Sequence, residues 1–196
     1  NKPINIKKNI PSIPASKKIR DYQKEAYSEW KNKNYHGILS MATGTGKTIT
    51  AFNALINLLQ EEEYLATVVV VPYQHLVTQW AEEASEFGIT FIKCFESSKK
   101  WSSQLLDAVT KYKYKEQKNI FIITTTSTYI SAKFQDPISK LNNLCLIVDE
   151  VHNFGASTIQ KFYLPNANFR LGLSATPSRY MDEEGTTAIF GYMGEV

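Results

Sequence analysis

Apolar positions along the chain fall into two kinds of run. Short, nearly continuous apolar stretches rich in β-branched residues occur at 37–41, 66–71, 89–95, 119–124, 144–148 and 169–173. Between them, apolar residues recur at spacings of three and four. Examples are Ile19, Tyr22, Ala26 and Trp30, then Phe52, Leu55, Ile56 and Leu59, then Val77, Trp80, Ala84 and Phe87, then Trp101, Leu105, Val109 and Tyr112. A continuous run suits a strand buried on both faces, and the longer period suits a helix. The pattern predicts helices over 16–34, 46–62, 76–87 and 101–112, with helical character again over 186–193. Ser16 is the expected cap of the first helix, and Gly88 the stop of the third. Glu61, Glu62 and Glu63 are unfavourable at a helix C-terminus, so the second helix is expected to finish there.

Strands alternating with helices predict an α/β fold: a mainly parallel twisted sheet, helices on both faces, right-handed crossovers. Residues 1–16 break the pattern. Pro3, Pro11 and Pro14 stand among Asn, Lys and Ser, which reads as an extended linker. Residues 17–196 read as one domain. A chain that begins with a linker suggests an excised piece of a larger protein.

Composition adds limits rather than direction. With 196 residues, 43 % hydrophobic and 21 % charged, the chain can bury a core without staples. Cys94 and Cys145 lie inside apolar runs and read as buried free thiols in a reducing, cytoplasmic setting. No apolar run is long enough to cross a bilayer, and no signal peptide opens the chain, so no membrane partner is expected. Net charge is +3, unevenly spread: residues 1–60 carry ten Lys/Arg against three Asp/Glu, the remainder twelve against sixteen. The basic part suits either a polyanion partner or a solvated linker.

Chemistry enters at Met41-Ala42-Thr43-Gly44-Thr45-Gly46-Lys47-Thr48, between the first strand and the second helix. Strand, Gly-containing turn, Gly-Lys-Thr and helix form the layout of a phosphate-binding loop. Its glycines permit a tight turn, and its N–H groups and helix N-terminus point at an anion. Lys47 would reach the β/γ-phosphates, and Thr48 would ligate Mg²⁺. The usual first Gly is replaced by Met41. Asp149 and Glu150 follow the apolar run 144–148. Asp149 suits a Mg²⁺ ligand and Glu150 a residue that polarises water for attack on the γ-phosphate. The polar groups at 43–48, 72–74, 124–128, 149–152 and 174–176 all follow strand C-termini, which places them on one rim.

Together these residues resemble the first RecA-like domain of a superfamily 2 helicase or translocase. Ala42–Thr48 resembles that family's motif I, in which an Ala-first loop is common. Asp149-Glu150-Val151-His152 resembles motif II in its DExH form, and Ser174-Ala175-Thr176 motif III. Val70-Val71-Pro72-Tyr73-Gln74-His75-Leu76 resembles motif Ia, Thr124-Thr125-Thr126-Ser127-Thr128-Tyr129 the segment after it, and Arg20-Asp21-Tyr22-Gln23 the Q-motif region. The Leu-Gly-Leu-Ser-Ala-Thr-Pro-Ser-Arg run looks most like the restriction-enzyme and repair-helicase branch.

The resemblance implies ATP and Mg²⁺ as cofactors, with Thr43, Gly44, Thr45, Gly46, Lys47 and Thr48 around the phosphates. Gln23 would read the adenine edge in a pocket built with Arg20 and Tyr22. His152 would couple hydrolysis to movement, and Ser174 and Thr176 would bond across to the DExH segment. Pro72, Tyr73, Gln74, Thr125, Thr126 and Ser127 would hold a nucleic-acid backbone, with ordinary helix capping as the alternative. Trp101 and Tyr129 are more simply core residues than base-stacking ones. His36 and His75 make no metal cluster with either cysteine. Arg179, just past motif III, reads as a surface or substrate contact.

A helicase of this kind uses a second RecA-like domain, and the chain ends too early to include one. DNA is favoured over RNA by the restriction-like features alone. Two other classes share parts of the pattern: a nucleotide-dependent nucleic-acid sensor that does not unwind, and an unrelated P-loop kinase or transporter ATPase. The DExH and Ser-Ala-Thr pair argues against the last.

Overall fold

The computed structural model describes residues 11–195. Residues 1–10 of the expected linker lie outside that range. Six strands form one all-parallel sheet: β1 (His36–Ser40), β2 (Leu65–Val71), β3 (Ile92–Cys94), β4 (Asn119–Thr125), β5 (Leu144–Asp149) and β6 (Ala167–Ser174), in the order β1-β6-β5-β2-β4-β3. The helices are α1 (Asp21–Asn32), α2 (Lys47–Glu61), α3 (Gln74–Glu86), α4 (Ser98–Lys113), the short α5 (Thr126–Tyr129), α6 (Ala132–Ile138) and α7 (Ser157–Gln160), and α8 (Glu183–Met193). A 3-10 turn, Val151–Gly155, follows β5.

The core divides by the pleat. In β2 every residue is buried. Ala66, Val68 and Val70 pack on one side with Trp101, Leu105, Tyr129, Phe134 and Ile189. Leu65, Val69 and Val71 pack on the other with Phe52, Leu55, Trp80 and Phe87. Alternate side chains of a central strand thus feed two apolar layers, as a parallel sheet covered on both faces requires. Trp101 and Tyr129 are both core residues, 3 % and 0 % exposed. Cys94 and Cys145 are buried free thiols. Burial pushes Cys94 up to about 12 and Cys145 above its ordinary value, so neither is a nucleophile at neutral pH.

Several boundaries differ from the pattern. Helix α1 starts at Asp21, not near Ser16, because Pro14 opens a turn that Lys17 N–H closes on Pro14 O at 2.9 Å. The Gln23 side chain then accepts from Arg20 N–H at 2.9 Å and caps the helix four residues later. The segment before α1 lies against the domain: Ser12 N–H donates to Phe87 O at 3.0 Å, and Ile13 packs on the second apolar layer. β3 shrinks from seven expected residues to three, since it is an edge strand paired only with Ile122–Thr124 of β4. α2 does end at Glu61. Its carboxylate accepts from Lys31 Nζ at 2.6 Å, Tyr35 Oη at 2.6 Å and Tyr27 Oη, which offsets negative charge at a helix C-terminus and fastens α1 and β1's approach to α2.

Candidate nucleotide and nucleic-acid site

The sheet order decides which polar segments meet. β1 ends in the glycine loop, β6 in Ser174, β5 in Asp149, β2 in Pro72 and β4 in Thr125, so these segments follow one another along the C-terminal rim. Register ties them: Ser40 is level with Ser174, Asp149 with Leu173, and Val71 with Thr125. Met41 N–H donates to Ser174 O at 2.9 Å.

Within the loop, Gly44 (φ 79°) and Gly46 (φ 88°) both lie in the left-handed region, where glycine is unstrained. Thr45 Oγ1 donates to Ala42 O at 2.6 Å and closes the turn. Thr43 and Gly44 are exposed. The 15-residue α2 begins with Lys47 and Thr48, so its free N–H groups face the same space.

From that loop a continuous polar chain crosses to β5 and β6. Lys47 Nζ pairs with Glu150 Oε1 at 2.9 Å. Glu150 Oε2 lies 3.5 Å from His152 Nδ1, and that nitrogen lies 3.1 Å from Ser174 Oγ. Ser174 Oγ accepts Thr176 N–H at 3.1 Å. Glu150 itself has φ 47°, a left-handed conformation that costs a non-glycine residue about 1–2 kcal/mol.

Asp149 is held separately. Its Oδ1 accepts Glu150 N–H at 2.9 Å and its Oδ2 accepts Trp80 Nε1–H at 3.0 Å. Burial raises the Asp149 pKa above the ordinary carboxylate value, opposed by the Trp80 donor. Among the described residues, no cluster of three or more His, Cys, Asp or Glu could enclose a metal ion. A cation here would rest on Asp149, Thr48 and the oxygens of its own nucleotide, which suits the hydrated, sparsely ligated habit of Mg²⁺.

The Q-like segment reaches the loop by a different route from the expected one. Tyr22 Oη donates to Thr45 O at 2.6 Å and accepts from Arg20 Nη1 at 3.2 Å. Gln23 is buried with its amide turned inward. Its Oε1 caps α1, and its Nε2 donates to Thr50 Oγ1 at 3.2 Å, which donates to Gly46 O at 3.0 Å. Gln23 therefore braces the loop from beneath in this conformation, whereas Arg20 and Tyr22 stand beside it.

The 72–74 and 125–127 segments are neighbours. Thr126 Oγ1 donates to Val71 O at 3.4 Å, and Thr125 Oγ1 caps α5 by accepting Thr128 N–H. Tyr73, Gln74 and Ser127 are exposed, and Pro72 and Thr126 half-buried. Thr125 is buried and its hydroxyl is committed to the cap. His75 stacks on Tyr73, with ring centroids 5.8 Å apart.

Two residues outside the expected site set lie against it. Trp80 had been placed on the apolar face of its helix. Its signal was available, since a buried indole N–H needs an acceptor. Arg179 is not a free surface residue: its side chain turns inward onto His152 O at 2.7 Å and Asp182 Oδ2 at 2.5 Å.

The chain is similar to several known proteins. The chain is 31 % identical to a DNA 3'-5' translocase, XPB2, of Sulfurisphaera tokodaii, over 91 % of the chain and 36 % of the relative. It is 27 % identical to a putative helicase, 22, of a Sulfolobus islandicus filamentous virus, over 91 % of the chain and 31 % of the relative. The chain thus spans about a third of the length of these curated relatives. Its fold matches the LlaGI Type ISP restriction-modification enzyme, solved with a DNA substrate mimic, with TM-score 0.70, 22 % identity, and coverage of 92 % of this chain and 19 % of that one. It also matches the Sulfolobus solfataricus SWI2/SNF2 ATPase core solved with dsDNA, with TM-score 0.69, 19 % identity, and coverage of 94 % and 36 %. Residues 16–179 match the family described as the Type III restriction enzyme, res subunit, and the chain belongs to that family as a superfamily 2 helicase-type first RecA-like domain.

Proposed function

We propose that this chain is the ATP-binding motor domain of an ATP-dependent DNA helicase or translocase. The reading rests on one observation above the others: Lys47 of the glycine loop and Glu150 of β5's exit meet at 2.9 Å, on the rim that also carries the 72–74 and 125–127 segments. A relative named a DNA 3'-5' translocase and a Schizosaccharomyces pombe relative named an ATP-dependent DNA helicase, fml1 (27 % identical over 86 % of the chain), support DNA as the polymer.

In this reading Thr43, Gly44, Thr45, Gly46 and Lys47 receive the phosphates, and Arg20, Tyr22 and Gln23 lie toward the base. Thr48 and Asp149 hold Mg²⁺, which when bound neutralises charge on the phosphate oxygens. Lys47 leaves Glu150 for the phosphates. Glu150 is then free to orient a water, and its strained backbone keeps the carboxylate aimed outward. His152, Ser174 and Thr176 carry the change to the rest of the rim. Pro72, Tyr73, Gln74, Thr125, Thr126 and Ser127 hold the strand by its phosphates, without reading sequence. Thr125 would serve by shaping α5, since its hydroxyl is already committed. A second RecA-like domain of the longer protein completes the ATP cleft, and the protein works in the cytoplasm.

The experiment is nucleic-acid-stimulated ATP hydrolysis by the full-length protein, with strand-displacement and translocation assays beside it. Lys47→Ala and Glu150→Gln are each expected to lower turnover about 100-fold or more. Undiminished turnover in either variant overturns the assignment. Stimulation with neither displacement nor translocation would make the protein a nucleotide-dependent sensor, and stimulation by RNA alone would change the polymer.

A further inference from the structure

Arg179 closes the Leu-Gly-Leu-Ser-Ala-Thr-Pro-Ser-Arg run, three residues past the Ser-Ala-Thr triplet, and its side chain is tightly enclosed near the rim. It is threaded between two glycines. A Cβ on Gly155 would meet Gly185 O and lie 2.6 Å from Arg179 Cδ, and a Cβ on Gly185 would lie 2.5 Å from Asp182 Oδ2 and 2.8 Å from both Cδ and Nε of Arg179. Neither glycine lies in the left-handed region, so the demand at both positions is for space, not for backbone freedom.

From this slot Arg179 ties two elements, the 3-10 turn and the capped start of α8. Nη1 donates to His152 O in the 3-10 turn at 2.7 Å, and Nε donates to Asp182 Oδ2 at 2.5 Å. Its backbone N–H donates to Thr186 Oγ1 of α8 at 2.9 Å. The other Asp182 oxygen accepts Gly185 N–H at 2.8 Å and caps α8. Such a use needs a rigid planar fork with directed donors, which a lysine ammonium does not offer.

The His152 ring lies against Ser174 and Glu150, so the histidine is held at its ring by the ends of β6 and β5 and at its carbonyl by the segment that leaves β6. The side chains of the two residues after Arg179 stand out from the surface, although Met181 has a left-handed backbone (φ 50°). Tyr180 and Met181 are 90 % and 89 % exposed, and they border an open groove of about 690 Å³ with His152, Thr176 and Ser178.

We propose that Arg179 is a positioning residue for the DExH segment: it locks the His152 backbone to the start of α8, so that His152, Ser174 and the exposed Tyr180–Met181 tip move as one body. A shift of Glu150 or His152 on nucleotide binding is thereby delivered to the groove at Tyr180 and Met181. The functional half of this inference rests on the motor reading above; the positioning half does not.

Imidazole NMR of the selectively histidine-labelled chain tests the positioning, because the chain has only three histidines, His36, His75 and His152. Arg179→Lys is expected to move the His152 ring signals and leave those of His75 in place. Unmoved His152 signals in Arg179→Lys overturn the proposal. In the full-length protein, Arg179→Lys should lower nucleic-acid-stimulated kcat about ten-fold with KM for ATP unchanged. A parallel fall in kcat, ATP affinity and Tm would reduce Arg179 to a structural brace and also overturn it. A wild-type protein that nucleic acid does not stimulate would sink the motor reading together with the delivery to the groove, and the NMR result would still decide whether Arg179 positions His152.

Discussion

Trp80 Nε1 donates to Asp149 Oδ2 at 3.0 Å, joining two residues 69 positions apart across the boundary between an apolar layer and the rim. Trp80 is 2 % exposed and packs edge-on against Phe52, with centroids 5.3 Å apart. The carboxylate proposed to hold Mg²⁺ is therefore oriented by a residue that is itself part of an apolar layer. Trp80→Phe keeps an aromatic ring and removes the donor. It is expected to cost about 1–3 kcal/mol in thermal or urea unfolding, the usual penalty for an acceptor left unpaired in a buried place. It should also raise the Mg²⁺ concentration at half-maximal hydrolysis, measured by titration in the full-length protein. An unchanged Mg²⁺ requirement would mean that Asp149 needs no such support.

Tyr22 offers a contrast. It is 39 % exposed, and its hydroxyl donates to Thr45 O of the phosphate loop. Tyr22→Phe should leave stability almost untouched. It should weaken nucleotide binding by about 1 kcal/mol, the net worth of one hydrogen bond, in a fluorescent-nucleotide titration.

Glu61 sets an acid limit on the same region. Hydrogen bonds from Lys31, Tyr27 and Tyr35 lower its pKa from 4.5 to about 2. A carboxyl with a depressed folded pKa adds stability that is complete above its unfolded value and vanishes as pH falls through its folded value. The docking of α1 onto α2 should thus weaken between about pH 4.5 and pH 2. Because the cluster is partly solvent-exposed, the loss is expected to be only about 0.5–1 kcal/mol. Glu61→Gln should remove that part of the acid slope in Tm measured across the window, and an identical slope would show that other carboxyls carry it.

Gly46 places a backbone demand inside the loop. At φ 88° an added Cβ is strained, and it would also lie 3.3 Å from Gln23 Nε2. Gly46→Ala is expected to destabilise the fold by about 1–2 kcal/mol in chemical unfolding. It should also reduce nucleotide affinity more than Gly44→Ala does, because no atom lies within 4 Å of a Cβ at Gly44.

Much of this architecture was legible in the sequence because its signals are local. The run 66–71 announced a strand buried on both faces, and each polar motif followed such a run. What stayed hidden was non-local. Nothing in the chain's order says that β6 inserts beside β1, which is what sets Ser174 level with Ser40. Gln23 illustrates the limit within the site: its place beside the loop could be read from a motif, but its inward amide depends on Thr50 and on the turn at Pro14. Arg179 reads from the sequence as a surface or substrate contact; its inward hydrogen bonds to His152 and Asp182 were not legible, because the glycines beside it stand 24 residues before it and six after. The β3 edge shrank because edge strands are fixed by one neighbour, and the apolar pattern of 89–91 serves packing against helices instead.

The left-handed backbone at Glu150 sets two kinds of selection against each other. On local grounds the position favours glycine or asparagine, which would relax the turn leaving β5. Only the carboxylate, facing Lys47 on one side and His152 on the other, argues for glutamate. A screen for heat resistance and a screen for turnover would therefore pull this codon in opposite directions, and the residue recovered at 150 would tell which of the two the experimenter had really imposed.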